Sequence, residues 1–165
     1  GLVLMIPRKG AEVADISEKS LKDVLEVREA LEELAARLAC DKITKEGINR
    51  LKEAAQDFRS ALKSNDITQM AEADVRFHDV ICNATENQKL GQLLNNLREQ
   101  MYRYRLEYVK DEANYKRLIA EHRVIYEAIR DRDRQTGAEA IKNHIDNQEK
   151  AVIRMITSAS GKTKR

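Results

Sequence analysis

The sequence predicts an all-α fold of six to seven helices, preceded by a short β-hairpin. Its 165 residues include one proline, six glycines and no tryptophan, with an excess of Leu, Ala, Glu, Lys and Arg, a composition typical of long helices. Apolar residues also recur three and four positions apart along most of the chain, which is the spacing of a helix with one buried face. The length suits one domain, and no apolar run approaches the ~18 residues of a membrane-spanning helix.

Both ends of the chain are predicted to lie outside the helical domain. Residues 1–16 contain two short strand patterns around a basic, glycine-containing turn, followed by a linker. A lone hairpin is marginally stable in water, and the chain begins in mid-pattern without an initiator methionine, so we expect this segment to be the remainder of a larger domain. Residues 158–165 are small and basic, which predicts a disordered tail.

The helical domain is predicted to cover residues 17–157. Ser17, Thr44 and Asp66 mark the first three helix starts, because their side chains can cap free backbone amides. The first pattern gives a seventh helix if it breaks near residues 22–23. The six helical patterns cover residues 17–40, 44–64, 66–82, 90–108, 115–129 and 138–155.

Charge and cysteine content exclude several classes of protein. The 30 basic residues nearly balance 28 acidic ones, for a formal net charge of +2, so the chain lacks the basic field of a nucleic-acid-binding domain and any DNA contact must lie elsewhere. Cys40 and Cys82 lack the paired spacing of a zinc ribbon and the density of a disulfide-rich secreted protein. We therefore expect reduced, buried thiols in a cytoplasmic protein.

The three histidines of the chain, His78, His122 and His144, each lie on the apolar stripe of a different predicted helix. Asp74 precedes His78 by four residues, which puts its carboxylate beside the imidazole on one helix face. One core histidine is usually structural, but three inward histidines favour a shared role. One carboxylate and three imidazoles form a ligand set for a divalent transition metal, with zinc the first candidate and nickel, manganese or iron as alternatives.

Other chemical motifs are absent from the sequence. Paired Glu-x-x-His motifs of di-iron bundles are missing, since Val75, Ile119 and Ile141 occupy the positions three residues before the histidines. The sequence also contains no His-Glu-x-x-His motif, no phosphate-binding glycine loop and no Gly-x-Ser-x-Gly elbow. These absences leave the inward histidines as the strongest chemical signal.

Arg28 is a second unusual residue, because apolar positions of the first helix surround it. It could pair with Glu32 one turn later, or it could bind the carboxylate of a ligand beside the metal. Arg105 on the fourth helix is a second candidate for ligand binding. Cys82, four residues after His78, could approach the metal or simply pack in the core.

These residues together resemble the C-terminal ligand-sensing (FCD) domain of FadR-type regulators in the GntR family of bacterial transcription factors. The resemblance covers nearly the whole chain and depends on motifs that are specific only jointly. They are Val27-Arg28-Glu29-Ala30-Leu31-Glu32, Asp74-Val75-Arg76-Phe77-His78, Ala84-Thr85-Glu86-Asn87, Glu121-His122-Arg123-Val124-Ile125 and Asn143-His144-Ile145.

The resemblance implies an antiparallel helical bundle that binds a divalent metal through Asp74, His78, His122 and His144. It also implies a small organic acid as effector, with Arg28 at the position of a basic motif residue, and a homodimer. The segment 1–16 is similar to the wing of the family's winged helix-turn-helix, whose DNA-reading helices are missing here. Operator DNA would then be bound through that missing N-terminal domain.

Two alternatives to a regulatory domain stay open from the sequence. A metal-dependent enzyme could use the same Asp and His residues, but it needs a general base, and Glu121 points about 100° away from its neighbour His122 on a helix. A structural bundle could use the histidines without any effector. We expect a non-enzymatic, effector-binding domain without membrane association.

Overall fold

A computed structural model gives the architecture of the chain. It describes the backbone of residues 3–6, 10–13, 18–64 and 66–162, and the side chains of residues 18–64, 66–155 and 157. The described part contains six α-helices and one 3-10 turn, so the first helical pattern does not break into two. The helices are α1 (Glu18–Lys42), α2 (Lys45–Ala61), α3 (Ile67–Ala84), α4 (Gln88–Lys110), α5 (Tyr115–Arg130) and α6 (Arg134–Lys162), with the 3-10 turn at Glu112–Asn114.

Two strands precede the helices. Strand β1 (Val3–Ile6) pairs antiparallel with β2 (Gly10–Val13), so that Val3 faces Val13 and Ile6 faces Gly10. The predicted turn at residues 7–9, the linker up to residue 16 and the predicted helix start at Ser17 lie outside the described residues. The origin of this segment as part of a DNA-binding wing stays a prediction.

Side-chain caps set three of the helix starts. Thr44 accepts a hydrogen bond from the backbone amide of Gly47, Asp66 from that of Gln69, and Asn87 from that of Leu90. Each cap satisfies an amide that has no partner within its helix. Two of these starts, Thr44 and Asp66, are those that the sequence predicts.

The six helices pack as a bundle around one core. Helices α2 and α3, α3 and α4, and α5 and α6 contact each other across connections of three to five residues, so each of these pairs runs antiparallel. The first helix packs most extensively against the last one, α6, and also contacts α3, α4 and α5. The metal-ligand candidates lie inside the bundle, where α3, α5 and α6 surround a common interior.

Arg132 joins two distant turns of the bundle. It follows α5, and its guanidinium donates hydrogen bonds to the carbonyls of Cys40, Asp41 and Ile43 at the end of α1. The last carbonyls of a helix have no partner within the helix, so this arginine satisfies groups that would otherwise need water. The turn between α1 and α2 is thereby fixed to the turn between α5 and α6.

The structure differs from the sequence prediction at both ends of the last helix, since α6 begins at Arg134 where the predicted pattern begins at residue 138. Helix α6 extends to Lys162, so residues 158–162 are helical where a disordered tail was predicted; no proline interrupts the helix there, and residues 163–165 lie outside the described part. Within the described helices, none is long and apolar enough to cross a membrane.

Candidate metal centre

Asp74, His78, His122 and His144 come together in the interior of the bundle. Helix α3 carries Asp74 and His78 one turn apart, α5 carries His122 and α6 carries His144. All four side chains are buried, and one potential ligand atom from each lies within 4.8 Å of the others. The fold therefore assembles the group of residues that the sequence predicts as a ligand set.

The donor atoms of this group are poorly satisfied by the protein itself. Within the described part of the chain, His78 Nε2, both nitrogens of His122 and both carboxylate oxygens of Asp74 are buried without a hydrogen bond. Arg105 Nε lies 3.0 Å from Asp74 Oδ2, and His122 Nε2 lies 3.2 Å from Asp74 Oδ1, but these contacts have ion-pair distances without hydrogen-bond alignment. Buried lone pairs without partners are costly, and three imidazole nitrogens with one carboxylate fit a divalent transition metal.

The carboxylate of Glu32 orients His78 through its Nδ1 nitrogen. Glu32 on α1 places Oε2 2.5 Å from His78 Nδ1, and its other oxygen accepts from Arg28 Nε at 2.7 Å. Because an ionised carboxylate can only accept, His78 Nδ1 carries the proton, and Nε2 keeps a free lone pair. A histidine held in this way by a carboxylate is the usual arrangement behind a metal-ligating nitrogen.

His144 is held by a second carboxylate on another helix. Glu121 of α5 places Oε2 2.8 Å from His144 Nδ1, while its Oε1 accepts from Asn147 Nδ2 at 2.8 Å. On the opposite side of the ring, Gln148 Nε2 lies 3.0 Å from His144 Nε2. The carboxylate again makes Nδ1 the protonated nitrogen and leaves Nε2 as the nitrogen with the lone pair.

Aromatic rings hold His122. Its imidazole stacks on the ring of Phe77, with centroids 4.0 Å apart and an interplanar angle of 12°. The ring of Phe58 is tilted against the imidazole, with centroids 4.5 Å apart. Both phenylalanines are fully buried. The orientation of His122 is therefore set by packing, and its nitrogens remain available inside the bundle.

Burial and ion pairs set the charge states of the centre. Burial lowers the pKa of His78, His122 and His144, so the imidazoles are neutral at pH 7, as ligation requires. Burial alone would raise the pKa of Asp74, but Arg105 and His122 hold it well below its usual value. Burial also opposes ionisation of Glu32, whose pKa Arg28 and His78 nevertheless hold well below its usual value.

Arg28 and Arg105 both lie beside the four candidate ligands. Both are buried; Arg28 pairs with Glu32, as one reading of the sequence expects, and Arg105 approaches Asp74. Each still has one terminal nitrogen, Arg28 Nη2 and Arg105 Nη1, that is buried without a hydrogen bond to the described residues. These nitrogens could each donate to an anion.

The two arginines form the common wall of two small cavities. The first measures about 10 Å³ and the second about 20 Å³, which is room for roughly one water each. Cys82 is a free, buried thiol on the wall of the second cavity, outside the group of four. The first cavity is lined by Leu21, Leu25, Arg28, Met101, Tyr104, Arg105, Tyr108, Gln148 and Val152. The second is lined by Arg28, Glu32, His78, Cys82, Leu94, Arg98 and Arg105.

Sequence reasoning missed three residues of the centre. The sequence predicts Glu32 only as a partner for Arg28, indicates that Glu121 points away from His122, and assigns no role to Gln148. Glu121 does point away from His122, but it contacts His144 on the next helix. A polar residue on an inward stripe, such as Gln148 or Glu32, is the signal that could have found two of them.

Comparison with known proteins gives the family. The profile of the FCD domain matches residues 23–147, which is most of the chain. The chain belongs to the FCD family. The galactonate operon transcriptional repressor of Escherichia coli (strain K12) is 25% identical over 91% of this chain and 60% of its own length. The FCD chain spans about two thirds of the length of such curated relatives, whose names describe transcriptional regulators, a class of protein that is not enzymatic.

Solved structures share the fold of this chain. The structure of McbR/YncC of E. coli matches with a TM-score of 0.86 at 15% identity, over 93% of this chain and 78% of that one. The metal-free FCD domain of TM0439 matches with a TM-score of 0.66 at 21% identity, over 88% of this chain and 99% of that domain. The prediction of an all-α bundle is confirmed by these likenesses, which concern the fold alone.

Proposed function

We propose that this FCD chain is the effector-binding, dimerising part of a GntR-type transcription regulator. In this proposal Asp74, His78, His122 and His144 bind a divalent transition metal, with zinc the first candidate and nickel, manganese or iron as alternatives. A small organic acid binds beside the metal, where Arg28 and Arg105 contact its carboxylate. Binding of the acid changes the packing of the helices and so the DNA binding of the whole regulator.

The unsatisfied donor atoms support the metal. Five buried nitrogen and oxygen atoms of Asp74, His78 and His122 lack hydrogen bonds within the described residues, and His144 offers Nε2 from the same interior. Two of the imidazoles are held by carboxylates at Nδ1, which raises the basicity of the opposite nitrogen. A bound divalent ion supplies a Lewis-acidic contact for a carboxylate oxygen of the effector.

The charge balance of the interior supports an anionic effector. The buried cations Arg28 and Arg105 pair with the buried anions Glu32 and Asp74, Glu121 pairs with Arg117, and the histidines are neutral. A divalent cation added to this balanced group leaves an uncompensated positive charge in a low-dielectric interior, which is unfavourable without an anion. The free nitrogens of both arginines can donate to a carboxylate. Galactonate, which appears in the name of the similar E. coli repressor, is such an acid.

The remaining parts of the proposal concern the whole regulator. Names of relatives describe helix-turn-helix regulators, so operator DNA would be bound by an N-terminal domain outside this chain. In this proposal the strands β1 and β2 belong to that domain's wing, and residues 1–16 are its remainder and linker. In this proposal the regulator is a cytoplasmic homodimer without membrane contact.

A catalytic role has less support from the centre. An enzyme needs a base within reach of its substrate, yet Glu32 and Glu121 are each engaged by a histidine and by a further donor. A purely structural bundle explains the packing of His122, but it does not explain why buried atoms of Asp74 and His78 lack hydrogen bonds within the described residues. The effector-binding role accounts for both.

Metal content and acid binding test the proposal together. We expect the chain, purified without added metal or chelator, to contain close to one transition-metal ion, and Asp74→Asn to lose it because the anionic ligand is gone. Asp79→Asn is the matched control, since Asp79 lies on the same helix and pairs with Arg98. In the metal-loaded chain, galactonate or another small carboxylate should raise the melting temperature, and Arg28→Gln should abolish this rise.

Two results would contradict the proposal separately. A chain that contains no metal and takes up neither zinc nor nickel excludes the metal centre. A metal-loaded chain whose melting temperature responds to no acid in a broad panel, with Arg28→Gln behaving like the parent, excludes the acid site.

A further inference from the structure

The imidazole of His144 faces a hydrogen-bond acceptor at one nitrogen and a hydrogen-bond donor at the other. Glu121 accepts from His144 Nδ1 at 2.8 Å, and Gln148 Nε2 lies 3.0 Å from His144 Nε2. The other end of the Gln148 amide, Oε1, lies 2.8 Å from Arg28 Nη1. His144 and Arg28 are therefore joined through a single buried side chain.

The hydrogen-bonding chemistry of Arg28 and Gln148 determines which nitrogen of His144 carries the proton. A guanidinium can only donate, so Arg28 must face the oxygen of the Gln148 amide, and the amide nitrogen must face His144. An amide nitrogen also only donates, so His144 Nε2 must accept, and its proton must sit on Nδ1 towards Glu121. The orientation of Gln148 follows from its partners and needs no assumption about the amide.

The lone pair of His144 Nε2 has two possible uses. It can accept from Gln148, or it can bind a metal with Asp74, His78 and His122, but it cannot do both because an imidazole nitrogen has one lone pair. Glu121 and Gln148 therefore act in opposite directions on the same ring. Glu121 strengthens Nε2 as a ligand, whereas Gln148 competes for it.

We propose that Gln148 is an exchangeable link between the metal and the acid, which is displaced from His144 by the metal and then donates to the acid. This inference rests on the proposed function and deepens it, since it names the residue that couples the two ligands. The displaced amide need not travel far, because Gln148 already lines the first cavity together with Arg28 and Arg105.

The cavity gives the released amide a partner only when an anion arrives. Arg28 Nη2 and Arg105 Nη1 are buried without hydrogen bonds to the described residues, and no carboxylate lines this cavity. The cavity holds about one water in this structure, so a carboxylate can enter only as the surrounding helices shift, and it would then accept from Arg28 Nη2 and from the amide nitrogen of Gln148. Metal binding thus adds a third donor to the two arginines and makes the cavity more favourable for an acid.

The test measures zinc and acetate binding in parent and Gln148→Met. Methionine keeps the length of the side chain and removes its donor, so the competition for His144 Nε2 ends. We expect zinc to bind about threefold to tenfold more tightly in a chelator competition, the equivalent of one lost hydrogen bond. Acetate should bind the zinc-loaded variant at least about threefold more weakly, measured from its thermal-stabilisation curve.

Gln135→Met is the matched control, because Gln135 is an exposed glutamine on the same helix. It should leave both affinities at the parent's values. Gln148→Asn is the second variant, since its shorter amide cannot span Arg28 and His144 together, and it should shift zinc and acetate binding in the same opposite directions. Circular dichroism checks that each variant is helical.

The opposite signs separate this inference from damage to the fold. Damage would weaken zinc and acetate binding together, and that result in both folded variants overturns the role of Gln148, as does zinc binding that is unchanged. A parent chain that takes up no zinc overturns the proposed function itself and this inference with it. A parent that binds zinc and acetate, with variants that bind both like the parent, overturns this inference alone.

Discussion

His122 and His144 are buried to the same degree, but the protein orients them by different means. His122 contacts the rings of Phe77 and Phe58, and within the described residues neither of its nitrogens has a hydrogen bond. His144 has a hydrogen-bond partner at each nitrogen, Glu121 on one side and Gln148 on the other. Packing fixes the plane of the ring but not its tautomer, whereas a hydrogen-bonded carboxylate fixes the tautomer as well.

The largest expected effect comes from removing the aromatic support of His122. Phe77→Ala deletes a fully buried ring that stacks on the imidazole, so the free energy of unfolding should fall by about 3–5 kcal/mol. Urea denaturation of the metal-free chain measures this loss. Val124→Ala, at a 40% exposed position, is the control and should change little. A loss under about 1 kcal/mol for Phe77→Ala would contradict the packing account.

Removing the carboxylate behind His144 should affect the metal more than the fold. Glu121→Leu removes the acceptor at Nδ1, so the ring can adopt the other tautomer, and zinc affinity should fall about 10-fold to 100-fold. Glu121→Gln keeps an acceptor oxygen and should lose less. Glu127→Leu, at an exposed position of the same helix, should bind zinc like the parent. Equal affinity in parent and Glu121→Leu would mean that Glu121 does not position the ligand.

The same contrast shows what the sequence could predict. The four candidate ligands were found because each lies on an inward stripe, and helical periodicity locates such stripes well. Glu121 was missed because its partner His144 lies 23 residues away on the next helix, and the pairing depends on how α5 and α6 face each other. Likewise, the ion pair of Arg28 with Glu32 is local and was anticipated, whereas its contact with Gln148 spans 120 positions.

Lowering the pH should destabilise the folded, metal-free chain through all three histidines. Burial lowers the pKa of all three imidazoles in the folded chain, so the unfolded chain binds more protons between that lowered value and about pH 6.5. The histidines therefore contribute stability above about pH 6.5 that is lost as pH falls, at up to about 1.4 kcal/mol per histidine per pH unit. Urea midpoints of the metal-free chain, measured from about pH 7 down to about pH 5, should decrease steadily. Midpoints that do not change over this interval would contradict neutral, buried imidazoles.

A carboxylate outside the centre should matter least. Glu29 lies on the same helix as Glu32, but it pairs with Lys142 near the surface and touches no histidine. Glu29→Gln should change the free energy of unfolding by less than about 1 kcal/mol and leave zinc affinity unchanged, because partly exposed ion pairs are weak. Denaturation and chelator competition on this variant, beside Glu121→Leu, separate loss of a charge from loss of a ligand support. Weakened zinc binding in Glu29→Gln would remove that distinction.

The contact between the first and the last helix has a consequence for how the protein is made. Arg28 and Glu32 belong to the earliest helix, but Gln148, to which Arg28 also donates, is 120 residues further along. A ribosome delivers the chain at roughly 5–20 residues per second, so α1 waits for seconds before its principal partner exists. Until then the inward face of α1, which is apolar except for Arg28 and Glu32, lacks the helix that covers most of it. The centre is thus among the last parts of the fold to form during synthesis.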